Sequence, residues 1–187
     1  AVDFGPEGEV EILKPETAKS WEVGAKSEWL GGRLRLDLAY FTMDFDNLVI
    51  SQAIDGLPAL TNGGSERFKG YEVEGSFAIV EDLDWQFAYA RHDSKFRDFL
   101  TEFDGVPTQL RGKRLEMAPK ELYSTGLAYS PASGFNAYAF LQYTGERFLN
   151  KRNTALAADY TTYSAGIGYA FERFNVRLDG RNLSNRR

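Results

Sequence analysis

Glu72 and Glu74 are the pair of side chains that comes nearest to an acid/base dyad, because alternate residues of a strand share a face. Carboxylates two apart are commonplace on any polar strand face, however, and the surrounding sequence defines no pocket. His92 is the only histidine and cysteine is absent, so a zinc site, a thiol nucleophile and an iron–sulfur ligand set are not expected. The chain does not read as an enzyme, and no catalytic residue, metal or cofactor is assigned. The second constellation is a connection, "RDFLTEFDGVPTQLRGKRLEM" at 97–117. Its Arg97, Arg111, Lys113 and Arg114 could attract an anionic ligand, and Phe99 and Phe103 could offer it an apolar surface. Asp98, Glu102, Asp104 and Glu116 balance those cations, as in an ordinary solvated loop.

The elements that position these residues are strands. Alternation between apolar and polar residues marks eight of them, at about 17–29, 33–46, 67–80, 83–95, 119–130, 134–147, 159–171 and 174–184. In the first, Trp21, Val23, Ala25, Ser27 and Trp29 oppose Glu22, Gly24, Lys26 and Glu28. Leu34, Leu36, Leu38 and Tyr40 oppose Arg33, Arg35, Asp37 and Ala39, and Tyr71, Val73, Gly75, Phe77 and Ile79 oppose Glu72, Glu74, Ser76 and Ala78. The sixth strand, "FNAYAFLQY", is apolar on both faces, so alternation leaves its orientation open.

Such alternation reconciles two bulk properties. Aromatic residues make up 14% of the 187 residues, yet mean hydropathy is only -0.41, because averaging along a strand hides its apolar face. No apolar run approaches the roughly 20 residues of a membrane helix, which leaves strand-built membrane proteins open. The formal charge of -5 and the absence of a basic stripe argue against a nucleic-acid partner.

Connection lengths separate the remaining architectures. Gly31-Gly32, the stretch at Glu81-Asp82, Pro131–Gly134 and Glu172-Arg173 read as tight turns, whereas 50–67, 96–118 and 148–158 are long and polar. Strict alternation of short and long puts all the short turns at one edge of an up-and-down antiparallel sheet and all the long loops at the other. A soluble β-sandwich has no reason to sort its loops in this way; bacterial outer-membrane barrels do so. Aromatics follow the same axis. Trp29, Trp85, Phe135, Phe171 and Phe174 lie near the short turns, and Trp21, Tyr71, Tyr89, Tyr123, Tyr143 and Tyr163 lie toward the long loops. Trp21 and Trp29 would stand roughly 19 Å apart along the membrane normal at ordinary strand rise and tilt, consistent with two membrane-interface rings. The expected fold is therefore all-β, an antiparallel up-and-down transmembrane β-barrel segment. Both ends of the eight strands fall on the long-loop side, so 1–187 is expected to be a partial barrel, completed by strands outside it.

Several stretches then resemble one family. Leu13-Lys14-Pro15-Glu16 followed by Ser20-Trp21-Glu22-Val23-Gly24-Ala25-Lys26, "RLRLDLAYFTMDFDNLV" at 33–49, "GYEVEGSF" at 70–77, "APKELYSTGLAY" at 118–129 and "VRLDGRNLSNRR" at 176–187 look like segments of TonB-dependent outer-membrane receptors, in family order. The resemblance implies a 22-stranded barrel in the bacterial outer membrane with an N-terminal plug in its lumen. It also implies active uptake of a scarce ligand, most often an iron–siderophore complex, powered by the TonB complex. Plug, energy-coupling segment, earlier strands and closing strand would lie outside this chain. A passive porin and a soluble sugar- or protein-binding β-sandwich are the competing readings. On the leading one, outer-membrane lipid is a partner, and the inward Arg35, Asp37, Glu72, Glu74, Asp84 and Arg177 form lumen-wall ion pairs and plug contacts.

Overall fold

A computed structural model describes residues 2–4, 10–54 and 57–186, with side chains over 12–50 and 60–186. Short strands β1 (Val2–Phe4) and β2 (Val10–Ile12) pair with each other. They are followed by β3 (Thr17–Trp29), β4 (Leu34–Asp46), the hairpin β5 (Val49–Ile54) and β6 (Leu57–Asn62), β7 (Ser65–Val80) and β8 (Leu83–Asp98). A second hairpin, β9 (Leu100–Phe103) and β10 (Val106–Gln109), precedes β11 (Glu121–Tyr129) and β12 (Phe135–Thr144). A third, β13 (Arg147–Phe148) and β14 (Leu156–Ala157), precedes β15 (Tyr160–Ala170) and β16 (Asn175–Gly180). The described residues contain no helix.

Eight of these strands form one antiparallel sheet in chain order, β3-β4-β7-β8-β11-β12-β15-β16. A sandwich would require two sheets packed face to face; this is a single meander. The sheet is open, since β3 pairs only with β4 and β16 only with β15. The short turns reverse tightly because they use left-handed backbone, as at Leu30, Gly31 and Gly32, with φ of 57, 66 and 90°. Strand limits differ from expectation mainly at the other edge. β7 begins two residues earlier and β8 runs on to Asp98, while each long connection pairs with itself as a hairpin. β16 ends at Gly180, short of residue 184.

Register fixes the faces. One row runs Val23, Tyr40, Tyr71, and a neighbouring row runs Ala25, Leu38, Val73, Tyr89, Tyr123, Tyr143, all on the same side. The ambiguous strand β12 is settled by this ladder. Ala137, Ala139, Leu141 and Tyr143 join the apolar face, while Tyr138 points to the polar face and donates to Asp179 Oδ1 at 2.6 Å. Leu38 is 49% exposed on the apolar face, with no protein layer over it.

An arginine should therefore be costly on one face and tolerated on the other. In a complete barrel folded into lipid vesicles, Leu38→Arg should lose about 2–4 kcal/mol of stability in urea titrations, and Ala39→Arg about 1 kcal/mol or less. Equal losses would reject the assignment of faces.

Candidate functional site

The polar face carries a set of short charged contacts. Lys26 Nζ lies 2.8 Å from Asp37 Oδ2, Arg35 Nε lies 3.8 Å from Glu28, and Arg177 donates to Asp179 at 2.9 Å. His92 Nε2 is 3.2 Å from Glu72 Oε1, with the edge of Phe41 against the imidazole. Of the six side chains expected on an inner wall, Arg35, Asp37, Glu72 and Arg177 are thus in ion pairs or a carboxylate–imidazole contact. Glu74 and Asp84 have no ion-pair partner among the described residues. Glu74 lines a recess with Glu22, Lys26, Asp37 and Glu72. This stretch of face is acidic: Glu22, Glu28, Asp37, Glu72, Glu74, Asp84 and Asp179 outnumber Lys26, Arg35 and Arg177.

On the apolar face the aromatics cluster toward both edges. Trp21 packs on Tyr40 at 5.4 Å and Tyr71 on Tyr89 at 5.9 Å, with Tyr123 and Tyr143 beside them in register. At the short-turn edge Trp85 stacks near Phe87 at 4.7 Å, and Phe171 on Phe174 at 4.4 Å, with Trp29, Phe135 and Tyr169 close by in the ladder. Tyr163 lies one row below the tyrosine cluster. Sequence reading missed Tyr40, Tyr129 and Tyr169 as members, although their parity within each strand gives the signal. Beyond the tyrosines, polar side chains return to this face, among them Arg67, which grips Asp44 at 2.6 and 2.8 Å.

The long connections do not spread into solvent. Phe96, Phe99 and Leu110, all at most 2% exposed, close a small core with Ile50 and Leu115, against which Leu48, Phe68, Phe103 and Ala118 pack. Gly64, at φ 91°, permits this, since a Cβ there would fall 2.6 Å from the Phe99 ring and from Asp98 O. Two asparagines staple chain segments together by imitating a strand neighbour. Asn153 accepts from Arg114 N and donates to Arg114 O, both at 2.8 Å, and so holds the 148–158 connection against 96–118. Asn62 accepts from Lys14 N at 2.6 Å and donates to Lys14 O at 3.0 Å, while Glu16 accepts from Val49 N at 2.7 Å. The Leu13–Glu16 segment is thereby fastened to the first hairpin.

The six loop residues expected to face a ligand have divided roles. Phe99 is buried in the loop core, with Lys151 Nζ 5.0 Å from its ring centroid. Phe103 lies beneath the Arg152 guanidinium at 4.9 Å. Arg114 stacks over Phe148, and its side chain is only 19% exposed. Arg97 reaches Asp44 at 3.4 Å, on the same side as Arg67. Arg111 is exposed and 3.4 Å from Asp98, and Lys113 is exposed without an ion pair among the described residues. The six do not converge on one point. Sequence spacing could not reveal this, because it depends on which loop residues the core consumes.

Glu66 stands on the inner face beyond the tyrosine cluster, outside the membrane-spanning part of β7. Burial pushes its carboxyl above the usual range, Glu116 and Glu16 reinforce the shift, and Lys151 opposes it. A carboxyl so raised binds its proton more tightly folded than unfolded. Its cost to the loop core is therefore absent below the ordinary glutamate range and grows as pH rises through the elevated folded value.

A meander with an apolar aromatic-edged outer face, an ion-paired inner face and all long loops at one end defines a wall of an outer-membrane β-barrel. The chain matches the family described as "TonB dependent receptor-like, beta-barrel" over residues 4–183, and it belongs to that family. Its sequence is 25% identical to the ferrioxamine B receptor of Salmonella typhimurium, across 94% of this chain and 25% of that protein. It is 24% identical to the ferrichrome outer membrane transporter/phage receptor of Escherichia coli, across 94% and 23%. The siderophore receptor PiuA from Acinetobacter baumannii shares the fold with a TM-score of 0.73 at 21% identity, over 90% of this chain and 24% of that one. The ferric yersiniabactin uptake receptor FyuA from Yersinia pestis does so at 0.72 and 19% identity, over 91% and 25%. The chain spans about a quarter of the length of these relatives.

Asn153→Ala should release the 148–158 connection, since two backbone groups of Arg114 lose their partners, at about 1–3 kcal/mol locally. Hydrogen exchange should then speed up at residues 113–117 and stay unchanged in β11 and β12. Glu66→Gln should raise protection of the loop core at neutral pH and abolish its decline with rising pH; an unaltered profile would show that Glu66 is not the titrating group.

Proposed function

We propose that this chain supplies part of the wall and outer vestibule of a receptor that takes up an iron–siderophore complex across the outer membrane, driven by TonB. The observation that carries the reading is the two-faced sheet with its three long connections packed into one body at one end, in a chain of the TonB-dependent receptor family. The curated relatives are receptors and transporters, two of them named for ferrioxamine B and ferrichrome. Strands from the rest of the protein pair with β3 and β16 and close a barrel of about 22 strands. The plug occupies the lumen against Arg35, Asp37, Glu72, Glu74, Asp84 and Arg177. The aromatic edges sit at the two lipid–water interfaces. At the outer rim, Lys113 and Arg111, both exposed and the latter held only by a loose contact with Asp98, are the loop cations placed to meet a ligand, while Phe99 and Arg114 hold the vestibule in shape.

The test is uptake of ⁵⁵Fe by cells whose only siderophore receptor is the complete protein, supplied as ferrioxamine B and as ferric citrate. Saturable uptake that disappears when TonB is deleted is expected. Uptake that persists without TonB and rises linearly with concentration would identify a passive pore instead.

A further inference from the structure

Outward of Tyr40 and Tyr71, the lipid side of the sheet turns from apolar to cationic within two rows of the ladder. The first row runs Trp21, Thr42, Lys69, Asp93, and the second Lys19, Asp44, Arg67, Lys95, with Arg97 next along β8. At ordinary strand rise and tilt these rows stand roughly 5 and 9 Å beyond the row of Tyr40 and Tyr71. Two carboxylates are each shared by two cations. Asp44 accepts from Arg67 at 2.6 and 2.8 Å and lies 3.4 Å from Arg97. Asp93 lies 2.9 Å from Lys95 and 3.8 Å from Lys69. Each trio therefore keeps one net positive charge. Lys19 is exposed and has no ion pair among the described residues. The side chains of Asp44 and Asp93 are 26 and 34% exposed and those of their four cations 44–49%, so the surface shows mainly the cations. At the margins Arg91 is matched by Glu121 and Arg111 by Asp98. Even with Asp46 of the next row included, five cations meet three carboxylates, in a chain whose formal charge is -5.

From this we infer that Lys19, Arg67, Lys69, Lys95 and Arg97 form a docking surface for the phosphate groups of an outer-leaflet lipid. Position favours a lipid over a protein partner. The cations continue the lipid face directly beyond Trp21, Tyr40 and Tyr71, at the depth where headgroups replace hydrocarbon, and clustered Lys and Arg at that depth attract anionic headgroups. Composition fits the same occupant, since guanidinium groups match phosphate oxygens in pairs and ammonium groups add point charges. Asp44 and Asp93 order their cations beforehand, which lowers the entropy lost on binding. The inference rests on the chain's place in an outer-membrane barrel and not on the uptake reading.

The experiment titrates the complete receptor in detergent with lipid A, a glucosamine disaccharide lipid carrying two phosphates, and with the same lipid dephosphorylated. Bound copies are counted by native mass spectrometry. The wild-type receptor should half-saturate at about tenfold lower concentration with the phosphorylated lipid, and added salt should shrink that preference. Replacing three lysines together, Lys19→Gln, Lys69→Gln and Lys95→Gln, should reduce it to about twofold or less. Arg173→Gln, in a short turn at the opposite edge, should keep it. Should the triple variant fold poorly, Lys19→Gln alone decides, because Lys19 has no ion-pair partner among the described residues to lose; its preference should fall about threefold. Wild-type preference in these lysine variants overturns the site and assigns the lipid to other strands. Equal binding of both lipids by the wild-type receptor also overturns it, and leaves the cations to an acidic protein surface.

Discussion

Hydrocarbon offers no partner to a peptide N–H or C=O, and each such group left unpaired costs several kcal/mol. Nearly everything in this chain follows from that constraint. Strands can satisfy it only by pairing along the length that crosses the bilayer, so β3, β4, β7, β8, β11, β12, β15 and β16 pair in chain order as one antiparallel meander. Pairing at a period of two residues in turn dictates that every strand show one face to lipid and the other to the lumen. Charges then concentrate on the inner side, where water and one another are available, as in Lys26–Asp37 and Arg177–Asp179.

Where the wall leaves the bilayer the constraint relaxes, and a different economy takes over. The long connections have water for their backbones, so they need a reason to be ordered. Phe96, Phe99 and Leu110 give one by building a core of their own above the sheet. Asn62 and Asn153 extend pairing past the strand ends with a side-chain amide in place of a peptide. The Leu13–Glu16 stretch, one of those that resemble the receptor family in sequence, has a mechanical meaning here: it is the piece that Asn62 grips.

The wall was legible from sequence because period-two alternation leaves a direct imprint. Tyr71 through Ile79 against Glu72 through Ala78 needs no tertiary information to be read. The sixth strand escaped because Tyr138 and Phe140 face inward as bulky apolar residues, where Tyr138 serves as a hydrogen-bond donor to Asp179. The vestibule was less legible. Phe99 looks the same in sequence whether it faces a ligand or Leu110, and no local pattern predicts that Arg114 will be consumed by Phe148 and Asn153. Arg147 lies within a strand predicted to run through residue 147, yet β12 ends at Thr144 and Arg147 opens β13, a break that "TGERF" marks only by its glycine.

A loop assembly with its own core also partitions how such a protein can diverge. At the hairpin tip the side chains of Asp104 and Val106 stand in solvent, Asp104 reached only by a loose contact from Arg152, so what the tip displays is limited mainly by the left-handed backbone of its two turn residues, Asp104 and Gly105, with φ of 54 and 78°. A few residues away, Phe99 and Leu110 are as constrained as the interior of any soluble domain. Selection acting on what the outer surface displays can therefore rewrite the tips while the frame beneath them persists, and two receptors could come to differ completely in what they present without altering how their loops are held.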